Sequence, residues 1–129
     1  MDKESNILIV EDEEGHRALL SEQVKDLGFS PETASDGFEA MAKIKTGFDL
    51  VLLDAQMPGK DGFEVAGEIR EEKEYDDVAI VMVTGHDSQE DKKRAGEMGI
   101  EGFAKESKEK EDKKKFESTK KTFFDIEDK

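Results

Sequence analysis

FDLVLLDAQMPGKDG, residues 48–62, is the stretch whose reading decides the fold. Leu50, Val51, Leu52 and Leu53 form an unbroken apolar run, which suits a strand covered on both faces, as parallel strands in α/β proteins are. Asp54 ends the run with a carboxylate. Met57-Pro58-Gly59 and Asp61-Gly62 follow, turn-formers that stop the strand and carry a loop over its carboxyl end. In open α/β sheets that end is where ligands bind. A lone acid after an apolar run reads most simply as a solvated strand terminus, and the weight given to Asp54 comes from the rest of the chain.

Outward from this stretch the same unit recurs. Asn6 to Val10 (NILIV) is a second buried run, and it ends in Glu11, Asp12, Glu13 and Glu14. A helix is expected from Glu14 to Leu27, with Leu20, Val24 and Leu27 on one face, early acids at its amino end and Gly28 as its cap. Phe29 to Ala34 is a short strand. Asp36 caps a second helix with Ala40, Met41 and Ile44 on one face, stopped near Gly47. Beyond the central loop, Phe63, Val65, Ala66 and Ile69 mark a third helix running into the charged segment 70–77. Val78 to Val83 (VAIVMV) is another buried run, ended by Thr84 and Gly85. Asp87 to Met98 reads as a helix from its punctuation, and a strand around Gly102 to Ala104 ends at Lys105. Strands alternating with helices, without an internal repeat or long linker, predict one α/β domain with a parallel sheet wrapped on both faces, its core spanning residues 6–105. Residues 106–129 form a charged helix or tail, in which Phe116, Phe123 and Phe124 share a helical face. Packing of that face on the parent domain, fraying, or contact with another subunit are all open.

The 129 residues carry a formal net charge of −14. Residues 106–129 hold eight lysines and eight acids, so the first 105 residues, with 12 basic and 26 acidic side chains, carry the whole imbalance. Such a surface repels phosphate backbones and anionic membranes, so direct nucleic-acid binding and membrane insertion are not expected. The absence of cysteine excludes disulfides, thiolate metal sites and a thiol nucleophile. No apolar run approaches the roughly 18 residues of a membrane span. A cytoplasmic location is the expectation.

Three apolar runs end in a polar or reactive group: Glu11-Asp12, Asp54 and Thr84. A shorter one ends in Lys105. Parallel neighbours would bring these ends to one edge. Three carboxylates within about 4 Å would repel one another by several kcal/mol at an effective dielectric near 20, so a positive group is called for. Oxygen ligands without His or Cys suit a hard cation such as Mg²⁺, which takes one or two carboxylates together with a phosphate oxygen. With a hydroxyl from Thr84 and an ammonium from Lys105, the set suits a tetrahedral anion, and Asp54 becomes a nucleophile able to take a phosphoryl group.

The succession ILIVEDEE, LVLLDAQMPGKDG, VMVTG and FAK, in this order and at about this spacing, resembles the CheY-like receiver domain of bacterial two-component response regulators over residues 6 to about 105. The resemblance implies a flavodoxin-like (βα)5 fold with strand order 2-1-3-4-5. It implies that Asp54 is the phosphoacceptor, served by a sensor histidine kinase or a histidine phosphotransfer protein. Asp12 would ligate Mg²⁺ directly, Glu11 through water, and the Gln56 backbone carbonyl would be a further ligand. Thr84 and Lys105 would contact the phosphoryl group. Such a domain catalyses its own phosphorylation and dephosphorylation rather than turning over a substrate, and it switches the binding of a downstream protein. With no further segment after residue 129, the expectation is a shuttle or relay component, or a piece of a longer regulator.

The sequence departs from the family in places. Family members commonly have Asp where Glu11 stands, and proline joined by a cis bond where Glu106 follows Lys105. Their switch aromatic lies three residues before the lysine, whereas Phe103 lies two before it, and a slip of one turns a strand side chain to the other face. Core packing is therefore the expected role of Phe103. These departures support a rival reading, a receiver-fold binding module that works without phosphorylation. A hydrolase acting through an aspartyl phosphate would want a second acid shortly after the nucleophile, where Gln56 stands. Gln56 and His86 are candidates to line the site entrance, and His16 is expected to be an exposed helix residue.

Overall fold

The computed structural model describes residues 4–84 and 89–105, with only the backbone described for Thr84 and residues 103–105. Five parallel strands form one sheet: β1 (Ile7–Val10), β2 (Pro31–Ala34), β3 (Leu50–Asp54), β4 (Ala79–Thr84) and β5 (Gly102–Lys105), in the order β2-β1-β3-β4-β5. This is the expected order. Four helices connect them: α1 (Glu14–Asp26), α2 (Gly37–Ile44), α3 (Gly62–Glu71) and α4 (Gln89–Glu97). The tail 106–129, His86 and the peptide joining Lys105 to Glu106 lie outside the described residues.

The alternation of each central strand builds two cores. Leu8 and Val10 of β1, Val51 and Leu53 of β3, and Ile80 and Met82 of β4 pack with Ala40 and Ile44 of α2, Val65, Ala66 and Ile69 of α3, and Ala95 of α4. Ile7, Ile9, Leu50, Leu52, Val81 and Val83 pack on the other face with Leu20 and Val24 of α1. Every residue of β1 and β3 is buried, which explains why their sequences read as runs rather than as alternation.

The helix starts follow local chemistry. Asp36 Oδ1 accepts the Glu39 N–H at 2.7 Å and Asp61 Oδ1 accepts the Glu64 N–H at 2.9 Å, each satisfying an amide that the helix itself leaves bare. Most boundaries fall within a residue or two of expectation, and two strand starts come later because a turn claims the residue. The Phe29 N–H bonds back to the Val24 carbonyl at 3.3 Å, closing α1 behind Gly28 (φ 100°), so β2 begins only at Pro31. Val78 donates to Tyr75 at 3.1 Å, in a turn that follows the 3-10 helix Lys73–Tyr75, so β4 begins at Ala79.

Candidate functional site at the carboxyl edge of the sheet

Period-two counting assembles the site. In β1, Ile7 and Ile9 face the α1 core; in β3, Leu50 and Leu52 do. Two residues further on, Glu11 and Asp54 therefore share a side, and the register Val10↔Leu53 makes them neighbours. Carboxylate oxygens of Glu11, Asp12 and Asp54 all lie within 4.8 Å of one another. Glu11 is 1% exposed and Asp54 5%, whereas Asp12 faces solvent. The predicted acidic cluster is thus formed, two of its members from the sheet interior and one from the rim.

Backbone contacts fix these carboxylates in place. The Gln56 N–H donates to Asp54 Oδ1 at 3.1 Å, and the Ala55 N–H donates to the Val83 carbonyl at 2.9 Å. Gly62 enters the site through its missing side chain. A Cβ there would stand 2.2 Å from the Asp54 carbonyl oxygen and 2.9 Å from the Ala55 Cα, so only glycine lets α3 begin this close to the end of β3. On the other flank Arg17 Nη1 donates to the carbonyls of Glu11 at 3.0 Å and Asp12 at 3.3 Å, holding the turn that presents both acids.

Burial pushes the Asp54 carboxyl above the usual carboxylate range, and the charge of Asp12 adds to the rise. Hydrogen bonds from Glu11 and from the Gln56 N–H pull the other way. The net direction is upward: the site holds a carboxylate that its surroundings would rather see neutralised.

Among the described atoms, the remaining predicted residues are located by their backbone. Lys105 is in register with Thr84, and Ala104 with Val83, which itself pairs with Asp54. Both Thr84 and Lys105 thus stand one step beyond the level of Asp54, at the same edge. The backbone of Phe103 is in register with Met82; its side chain lies outside the described residues.

His16 is corrected. Far from being an exposed helix residue, it has a side chain 18% exposed, with Nδ1 3.3 Å from Glu11 Oε1 and 3.0 Å from Glu13 Oε2. Helical side chains lean toward the amino terminus of their helix, so a residue in the first turn of α1 reaches back over the strand end that precedes it. The i, i+3 spacing from Glu13 carried that signal in the sequence. Arg17 carries no comparable signal, because a contact to main-chain carbonyls leaves no mark in a pattern of side chains.

The family model "Response regulator receiver domain" matches residues 7–116. The chemotaxis protein CheY-3 of Vibrio cholerae is 33% identical over 105 residues, covering 80% of this chain and 81% of that protein. The solved structure of V. cholerae CheY4 superposes with a TM-score of 0.84 at 30% identity, covering 95% of this chain and 98% of that one. Response regulator TrrA of Thermotoga maritima, solved in complex with Mg²⁺-BeF, gives a TM-score of 0.73 at 35% identity, covering 92% and 98%. Other relatives are far longer. The chain spans 6% of hybrid signal transduction histidine kinase B of Dictyostelium discoideum and 40% of the probable transcriptional regulator ycf27 of Cyanidium caldarium. From its buried acidic pocket, its strand order and these matches, the chain belongs to the response regulator receiver domain family of two-component signalling.

Proposed function

We propose that the chain works as one phosphoacceptor domain with its core at residues 6–105, in which Asp54 takes a phosphoryl group from a phosphohistidine of a sensor histidine kinase or histidine phosphotransfer protein. The observation that carries this reading is a 5%-exposed aspartate at the end of the central strand, with oxygens of Glu11 and Asp12 within 4.8 Å of its own. A carboxylate oxygen of Asp54 attacks phosphorus, the new O–P bond forms as the P–N bond breaks, and the imidazole leaves with the electron pair. The Gln56 N–H on Oδ1 fixes the plane of the carboxylate for that attack. Thr84 and Lys105, whose backbones stand one register step beyond, carry the hydroxyl and ammonium that would serve the transferred group.

The donor set fits a hard divalent cation. It consists of carboxylates, it includes no thiolate, and burial together with the charge of Asp12 raises the pKa of Asp54. Glu11, Asp12, Asp54 and the Gln56 carbonyl would hold Mg²⁺, which when bound supplies the charge that offsets the phosphoryl oxygens. The resulting aspartyl phosphate, at the carboxyl edge shared with β4 and β5, biases the α4–β5 face and so changes its affinity for a downstream protein.

Incubation with acetyl phosphate and Mg²⁺ tests the assignment. Wild type is expected to gain one phosphoryl group by intact mass, and Asp54→Ala none. Labelling that persists in Asp54→Ala moves the acceptor elsewhere, and failure of wild type to label with Mg²⁺ present favours the phosphorylation-independent binding module.

A further inference from the structure

The acid at the end of β1 is a glutamate, one methylene longer than the aspartate that shares its turn, and it is nonetheless buried to 1% exposure. An extra methylene adds a rotatable bond. Unrestrained, the Glu11 carboxylate would sample positions away from Asp54, and each lost rotamer subtracts from any affinity the pocket has for a cation. Something must hold it.

His16 is placed to do so. Its Nδ1 lies 3.3 Å from Glu11 Oε1, and the same nitrogen lies 3.0 Å from Glu13 Oε2. Glu13 is itself anchored: as the cap of α1 its Oε1 accepts the Gly15 N–H at 3.0 Å and its Oε2 the His16 N–H at 2.9 Å. A carboxylate already taking two backbone N–H groups offers Nδ1 only lone pairs, so Nδ1 carries a hydrogen and donates. The single Nδ1 hydrogen, shared between the two carboxylates, links the carboxylate of Glu11 to the first turn of α1, and Arg17 in the same turn holds the Glu11 main chain. A group that orients a ligating carboxylate in this way governs metal affinity without touching the metal.

We infer that His16 is a positioning residue for the cation pocket, fixing the carboxylate of Glu11 against Asp54 and Asp12, and that Glu11 and His16 act as a coupled pair. The inference rests on the reading of the acidic cluster as a Mg²⁺ site. An aspartate in place of Glu11 would need no such strut, because its shorter carboxylate would fall short of His16 while its backbone kept it at the pocket.

The test is Mg²⁺ titration of the intact, unphosphorylated chain, followed by amide NMR shifts near Asp54. His16→Leu is expected to weaken Mg²⁺ binding about tenfold. His16→Asn, whose side-chain amide nitrogen stands near the place of Nδ1, is expected to restore most of that loss. In a Glu11→Asp background His16→Leu is expected to have no further effect, a non-additivity that a merely structural histidine would not produce. Urea unfolding of each variant separates a lost fold from a lost strut, since the Asn and Leu variants can be compared at matched stability. If wild type binds Mg²⁺ and His16→Leu binds it equally well, or if the two substitutions add, His16 has no such role although the pocket stands. If wild type itself shows no Mg²⁺-dependent shifts, it is the pocket that fails.

Discussion

The two ends of the sheet handle charge in opposite ways. At the amino end two carboxylates beside the strands, Asp49 and Glu101, meet backbone donors. Asp49 Oδ2 accepts the Asn6 N–H at 2.7 Å, and Glu101 Oε2 accepts the Ile80 N–H at 2.6 Å. Arg70 then spans both Glu101 oxygens at 2.9 Å and donates to the carbonyls of Gly99 and Tyr75, each at 3.2 Å. At the carboxyl end Glu11, Asp12 and Asp54 crowd together, and Asp54 is pushed toward neutrality. One end is satisfied and the other is frustrated. Because backbone register ties both to the same strands, the stable end can hold the strained one in place until a cation and a phosphoryl group neutralise it.

That contrast is broken most severely at Gly62. Its absent side chain leaves room for the Asp54 carbonyl and the Ala55 Cα, both main-chain atoms that cannot swing aside as a side chain would. Gly62→Ala must push α3 away from the end of β3 and is expected to cost about 3 kcal/mol. Urea unfolding should show a lower midpoint with an unchanged slope, and Mg²⁺ binding should weaken as Asp54 shifts. An unaltered midpoint would mean the close approach is slack.

Next in size is Arg70. Its side chain is 17% exposed and its guanidinium joins α3, the 3-10 turn and the segment entering β5. Arg70→Ala removes at once the guanidinium's bonds to Glu101 and to the carbonyls of Gly99 and Tyr75, and should cost about 2 kcal/mol. If the two ends are independent in function, Mg²⁺ affinity should stay within a factor of two of wild type. A large drop in Mg²⁺ affinity at retained fold would show that the amino end tunes the site rather than merely supporting it.

How much of this was legible beforehand follows from the range of the forces involved. β1, β3 and β4 are legible because burial on both faces leaves an uninterrupted apolar run, and Glu11, Asp12 and Asp54 because several such runs end in reactive groups together, where a single acid would read as a solvated terminus. The strand order came with the family resemblance, not from the runs themselves. Phe29 and Val78 were assigned to strands because their apolar side chains fit one; the hydrogen bonds that hold them in turns belong to the backbone and leave no compositional trace. Arg70 and Glu101 are 31 residues apart, and their pairing exists only once α3 and the α4–β5 connection are side by side. His16 is the legible exception, since its i, i+3 spacing from Glu13 and the lean of helical side chains together place it over the end of β1.

The smallest expected effect has the opposite sign and tests the frustrated end directly. Since burial raises the Asp54 pKa above its unfolded value, the folded protein keeps a proton that the unfolded chain has already released. Its contribution to stability is fully present below the unfolded pKa and is lost as pH rises through the folded one. At neutral pH without metal the ionised Asp54 therefore weakens the fold, and Asp54→Asn, which keeps the shape and removes the charge, should stabilise it by on the order of 1 kcal/mol. The same substitution should flatten that limb of the stability–pH curve. Mg²⁺ reverses the relation, because it binds the ionised carboxylate and must displace the proton, so its affinity in wild type should fall as the solution is acidified. Thermal melts of both proteins across the acid range, with and without Mg²⁺, read all three effects. An Asp54→Asn protein less stable than wild type at neutral pH without metal would mean that the carboxylate is held by favourable partners, and that the carboxyl end of the sheet is no more strained than the amino end.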